Sequence, residues 1–130
     1  MAKKFTALLV FFSLSAFAVA ASSHIAVISQ ADLKAAIASK SAVILDVNGS
    51  DSYKDGHIPG AIDFLAHQQE IAKLLPADKS TLIVAYCANE HCPAYKMGAE
   101  AALALGYINV KHYAPGIYGW KKSGAPTEKS

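Results

Sequence analysis

The chain contains no arginine; all twelve of its basic side chains other than histidine are lysines. The bidentate guanidinium fork is therefore excluded from any anion site. Such a site must be built from backbone N–H groups, lysine or histidine. There is also no marked excess of charge of one sign. The formal net charge is +2, and Lys3 and Lys4 account for both units. Beyond them ten lysines face ten acids, which argues against a nucleic-acid binder with its basic face. Internal repeats, low-complexity segments and signs of a second domain are absent. Cysteine is scarce, with only Cys87 and Cys92.

What is present fits one domain. The chain has 130 residues, 53% apolar and 17% charged, enough to bury a core. Lys3-Lys4, the apolar run Phe5 to Phe17 and Ala18-Val19-Ala20 read as a signal peptide over residues 1–20. Cleavage near Ala20 is expected to leave a mature domain over 21–130, exported, in the periplasm and free of the membrane. The alternative is a retained anchor. The apolar run is short for a span of ~20 residues, and no stop-transfer charge cluster follows it. No cysteine near the cleavage site offers a lipid attachment point. Export would place both cysteines in an oxidising compartment.

Strands and helices alternate through the remainder. His24 to Ile28 predicts a short strand. Ser29 and Asp32 have the form of a capping pair ahead of a helix reaching Ser39. Ala42 to Val47 is a continuous apolar run, as expected for a strand covered on both faces. One helical turn is expected around Ser52–Lys54, a rigid turn at Gly56–Gly60, and a strand at Ala61–Asp63. Gln68 to Leu75 predicts a helix stopped by Pro76. Thr81 to Tyr86 predicts a strand. Pro93 to Leu105 predicts a helix with Pro93 at its first position and Gly106 as the terminating glycine. Asn109 to Tyr113 predicts a fifth strand, Ile117 to Lys122 a short helix, and Gly124 onward a tail. The pattern is that of an α/β fold with a central, mainly parallel five-stranded sheet flanked by helices.

Open sheets of this kind bind ligands at the carboxyl ends of their strands. Cys87 directly follows one apolar strand, and Asp46 ends another. Behind Cys87 comes a loop, Ala88-Asn89-Glu90-His91-Cys92, and then a helix start. Backbone N–H groups and the helix dipole make such a place favourable for an anion. A free cysteine with a pKa of about 8.5 is only a few per cent thiolate at neutral pH. A helix N-terminus contributes up to ~2 kcal/mol toward the charged form. Cys87 is thus a candidate thiolate nucleophile, and the loop backbone from Ala88 to Cys92 its anion cradle.

The motifs Val43-Ile-Leu-Asp46, Gly56-His-Ile-Pro-Gly-Ala61, Ile83-Val-Ala-Tyr-Cys87, Gly106-Tyr-Ile-Asn-Val110 and Pro115-Gly-Ile-Tyr-Gly-Trp120 occur in an order and spacing that resembles the single-domain rhodanese family. The resemblance spans nearly all of the expected mature chain. It implies a rhodanese fold and a sulfurtransferase. Cys87 would accept sulfane sulfur from thiosulfate or a persulfide and pass it to cyanide or a thiol, without metal or organic cofactor. Two positions depart from the family pattern. Asn48 and Cys92 stand where many members carry arginine or another basic residue. Thiosulfate, a dianion, would find fewer cationic partners here. The loop is also shorter than that of related phosphatases and lacks their arginine, which argues against phosphatase chemistry.

Other readings stay open at this point. Cys87 could be a buried structural thiol. Cys87 and Cys92 could form a structural disulfide, worth only ~2 kcal/mol for so small a loop. They could instead form a reversible pair in which Cys92 resolves a persulfide or oxidised Cys87. Their spacing is not that of thioredoxin, but a thiol–disulfide protein is a further alternative, as is a non-catalytic module that senses or carries sulfane sulfur. Cys87, His91 and Cys92 could be zinc ligands with His112 as a fourth, although one compact loop rarely wraps a tetrahedral site. His57 and Asp46 read as structural residues near the site rather than proton carriers. Glu90 and Lys96 are expected to face solvent, and Trp120 and Tyr118 to lie in the core.

Overall fold

A computed structural model of the chain describes residues 24–130, and the expected signal segment over 1–20 lies outside them. Five strands form one sheet: β1 (Ala26–Val27), β2 (Ala42–Asp46), β3 (Ile62–Asp63), β4 (Leu82–Tyr86) and β5 (Val110–His112). Their order across the sheet is β1-β5-β4-β2-β3, and every pairing is parallel. The two-residue strands β1 and β3 lie at the edges, where short strands limit unwanted pairing. No helix among the described residues is long and apolar enough to cross a membrane.

The apolar runs are continuous because both sheet faces are covered. Along β4, Ile83 and Ala85 enter one core with Leu45, Val47, Phe64, Ala99 and Ala102. Val84 and Tyr86 enter the other with Leu33, Ile44, Ile58, Tyr113, Ile117 and Trp120. This period of two divides the side chains between two helical layers. Helix α5 (Tyr95–Ala104) and the short helices α3 (Phe64–His67) and α4 (Ile71–Leu74) lie over the first face. Helices α1 (Gln30–Ala38) and α6 (Gly116–Lys122) lie over the second, while α2 (Ser50–Asp55) follows β2.

Several ends form as their side chains dictate. The Ser29 Oγ accepts the Asp32 N–H at 3.1 Å and caps α1. Gly106, at φ +94°, ends α5. The Tyr107 N–H reaches the Ala102 carbonyl at 3.2 Å and the Gly106 N–H reaches Leu103 at 3.0 Å, the Schellman arrangement.

Four local expectations need correction. The Gln68–Leu75 helix begins earlier and is broken. Asp63 caps α3 by accepting the Ala66 N–H, a 3₁₀ turn spans Gln68–Glu70, and α4 follows. Burial of Phe64 draws this segment onto the core before the expected start. Pro93 is not the first residue of α5. It opens a tight turn closed by Lys96 N–H to the Pro93 carbonyl at 3.1 Å, and the helix starts at Tyr95. Tyr118 is 63% exposed rather than in the core, whereas Trp120 is buried. The stretch after Gly124 returns to the body. The His57 and Glu128 backbones exchange two hydrogen bonds of 2.9 Å, and the Trp120 Nε1–H donates to the Pro126 carbonyl at 2.7 Å.

Candidate active site

Strand β4 is flanked on both sides in the sheet, by β5 and β2, and it carries Cys87 at its carboxyl end. Cys87 is 3% exposed. The chain then turns through Ala88 to Cys92 and enters α5. Asn89 organises this turn. Its Oδ1 accepts the His91 N–H at 2.9 Å, and its carbonyl accepts the Cys92 N–H at 3.2 Å. Among the described residues, the N–H groups of Ala88, Asn89 and Glu90 have no protein acceptor. The Glu90 and His91 side chains project to solvent, and Lys96 is also exposed.

Cys87 and Cys92 are bonded to each other, with their Cα atoms 6.1 Å apart. The structure therefore holds the pair in its oxidised state, in which Cys87 is not a nucleophile. Cys92 is half-buried and less enclosed than Cys87. Among the described residues no group of three or more His, Cys, Asp or Glu side chains is placed to hold a metal ion. His112 belongs to no such group among the described residues. It stacks on Tyr95 with ring centroids 3.4 Å apart, and burial lowers its pKa.

The Cys87 position rests on a buried polar link that the sequence reading missed. The Tyr86 hydroxyl donates to Asp46 Oδ2 at 2.5 Å and accepts the Ile58 N–H at 3.1 Å. Asp46 Oδ1 accepts the Asn48 N–H at 2.8 Å. One phenol thus ties the ends of β2 and β4 to the turn after α2. Burial, together with the Asp46 carboxylate, pushes the Tyr86 pKa upward, so it remains a neutral donor. The available signal was a tyrosine inside a β-branched strand, whose buried hydroxyl requires a partner. At the same edge, the Asn48 side-chain N–H₂ is buried without a protein acceptor.

His57 stands one residue from this link. Its ring stacks on Tyr53 at 3.6 Å, its Nδ1–H donates to the Tyr53 carbonyl at 2.7 Å, and its Nε2 lies 3.8 Å from Glu128 Oε2. Its contacts join α2, the Gly56–Gly60 turn and the C-terminal stretch rather than the loop.

A second support also escaped the sequence reading. The N–H groups of Ile117 and Tyr118 donate to the carbonyls of Cys87 and Ala88, at 2.9 and 3.0 Å. The approach requires Gly116. A Cβ there would lie 2.5 Å from the Cys87 oxygen and the Ala88 carbonyl carbon, and its φ is +63°. The Pro115-Gly116 pair in the sequence signalled a turn but not the neighbour behind it.

A family model described as the rhodanese-like domain matches residues 29–123. The chain belongs to the rhodanese-like family. No curated protein sequence matches it. Among solved structures, a rhodanese-related protein from Thermoplasma volcanium is 24% identical, with a TM-score of 0.63 over 81% of this chain and 99% of that one. The rhodanese-like domain of an Anabaena protein is 27% identical, with a TM-score of 0.59 over 77% of this chain and 76% of that one. A thiosulfate sulfurtransferase from Pseudomonas aeruginosa is 25% identical, with a TM-score of 0.62. That match covers 82% of this rhodanese-like chain but only 20% of the Pseudomonas protein.

Proposed function

We propose that this rhodanese-like chain is a sulfurtransferase that carries sulfane sulfur as a persulfide on Cys87. The observation that supports this reading best is the placement of Cys87, enclosed at the carboxyl end of β4 and followed by a loop with unpartnered N–H donors. In the reduced chain the Cys87 thiolate attacks the outer sulfur of thiosulfate or of a persulfide. A sulfur–sulfur bond forms on Cys87, and sulfite or a thiolate leaves with the electron pair of the broken bond. The loop N–H groups hold the terminal sulfur anion. Cyanide or a thiol then attacks that outer sulfur, and the Cys87 thiolate leaves. No metal or organic cofactor takes part. We further propose that the protein works after export, in the periplasm, without nucleic-acid partners and without membrane insertion of the mature chain.

The test is mass spectrometry of the reduced, reductant-free chain after exposure to thiosulfate or polysulfide. We expect loading of one sulfur on Cys87, its removal by cyanide as thiocyanate, and no loading in Cys87→Ser. Unmodified Cys87 with every donor would overturn the reading in favour of a non-catalytic module. The Cys87–Cys92 bond favours a second reading, a thiol–disulfide protein. Exchange of that bond with dithiols in a chain that loads no sulfur would support it.

A further inference from the structure

We propose, resting on the transferase reading above, that Cys92 makes this loop a persulfide reductase that releases sulfide. Cys92 Sγ bonds to Cys87 Sγ across a six-residue loop whose Cα span of 6.1 Å suits a disulfide. The sulfur that Cys92 reaches is therefore the one that carries the persulfide. In the loaded state it is the inner sulfur of Cys87–S–S⁻. Attack by the Cys92 sulfur on that atom forms the Sγ–Sγ bond and breaks the bond to the outer sulfur. The outer sulfur leaves with the electron pair and takes the Cys92 proton. Cys87–S–S⁻ plus Cys92–SH thus gives the Cys87–Cys92 disulfide plus HS⁻. The sulfane sulfur gains two electrons, and the cysteine pair supplies them.

The product of this step is the state the structure shows. Its regeneration has a direction set by enclosure. Cys87 is 3% exposed, while Cys92 is half-buried between the exposed His91 and Pro93. An incoming thiolate reaches the Cys92 sulfur, and the Cys87 thiolate leaves into the loop beside the free N–H donors. The reductant is a dithiol. Its first sulfur forms a mixed disulfide with Cys92, and its second displaces Cys92 and closes the dithiol's own disulfide. Over one cycle, a sulfane sulfur and a dithiol become sulfide and a disulfide. The reaction that supplies this dithiol must itself be a disulfide reduction. The acceptor is then not cyanide but the second cysteine of the same loop.

A single-turnover experiment separates this proposal from the transferase reading. The reduced chain, freed of reductant and kept anaerobic, is mixed with one equivalent of thiosulfate. We expect one hydrosulfide released per chain and loss of both alkylatable thiols. Cys92→Ser should hold a stable persulfide on Cys87, release no hydrosulfide and still yield thiocyanate with cyanide. A wild-type chain that keeps its persulfide with Cys92 alkylatable would overturn the reductase and leave the transferase standing. Failure of both the wild type and Cys92→Ser to take up sulfur would overturn the transferase reading and this proposal with it. For the return step, glutathione is added to the oxidised chain and the mixture is quenched in acid. Peptide mapping should place the mixed disulfide on Cys92. An adduct on Cys87, or none on Cys92, would overturn the proposed direction.

Discussion

At the Cys87 end of the loop the backbone is fixed from behind. Two N–H groups of α6 take the Cys87 and Ala88 carbonyls, and the Tyr86 phenol pins the preceding residue to Asp46 and Ile58. At the Cys92 end an asparagine-centred turn and the disulfide hold the chain, and the flanking His91 and Pro93 are exposed. The first end is specified by folding, because its partners come from segments far apart in sequence. The second is specified locally and by the redox state of two sulfurs. In the transfer proposed above, a rigidly held Cys87 and a conditionally held Cys92 would let one sulfur stay in place while the other comes and goes.

Breaking the rigid end should have the largest effect. Gly116→Ala puts a methyl 2.5 Å from the Cys87 oxygen, at a φ of +63°. Backbone strain and forced displacement together should cost about 4 kcal/mol. Denaturant unfolding should show the loss, and the reduced variant should load sulfur far more slowly because Cys87 is displaced. Unchanged stability would mean that α6 does not hold the loop. Tyr86→Phe comes next. It leaves the Asp46 carboxylate and the Ile58 N–H without their shared buried partner, at a cost of about 3 kcal/mol. Asp46→Asn in the same background should restore part of that loss in a double-mutant cycle, since the unpaired buried charge is then gone.

The comparison also explains what could be read in advance. The five strands, the capped α1 and the position of Cys87 follow from local pattern. Long β-branched runs end at recognisable turns, and a cysteine between strand and helix is a local feature. The supports of the rigid end are not local. Tyr86 and Asp46 are forty residues apart, and nothing near Gly116 says that the Cys87 carbonyl will lie against it. The C-terminal stretch looked like a polar tail because its partners, His57 and Trp120, lie outside its own window. The breaks between α3 and α4 were obscured for a related reason. Phe64 is drawn onto the core by tertiary packing, whereas helical periodicity began only at Gln68. The bond between Cys87 and Cys92 could be posed from spacing, but not decided between its structural and reversible forms.

A smaller effect should come from His112, packed on Tyr95 at the start of α5. Burial lowers its pKa from the ordinary 6.5. The unfolded chain therefore binds the proton more readily, and stability should fall as pH drops below about 6.5 toward the lower folded value. Above that range the contribution is complete. His112→Phe keeps an aromatic ring against Tyr95 and cannot take up a proton. Its stability should consequently depend less steeply on pH across that window, as read by denaturant midpoints at successive pH values. An unchanged slope would show that other groups carry the acid sensitivity.

The smallest effect belongs to the exposed end. The Glu90 side chain is 69% exposed and bears a negative charge beside the loop that would receive thiosulfate. His91 Nε2 lies 3.9 Å from the carboxylate, but the chain has no arginine to neutralise it, so repulsion of a dianion should slow loading. Exposure keeps the effect small, because water and salt screen charges at the surface. Glu90→Gln should raise the second-order loading rate with thiosulfate by about twofold. The gain should vanish at high salt and be weaker with a singly charged persulfide donor. Unfolding midpoints should not move, since no buried partner is lost. A gain that survives high salt would mean that Glu90 shapes the turn itself. The exposed end would then share in the structural control otherwise confined to the Cys87 end.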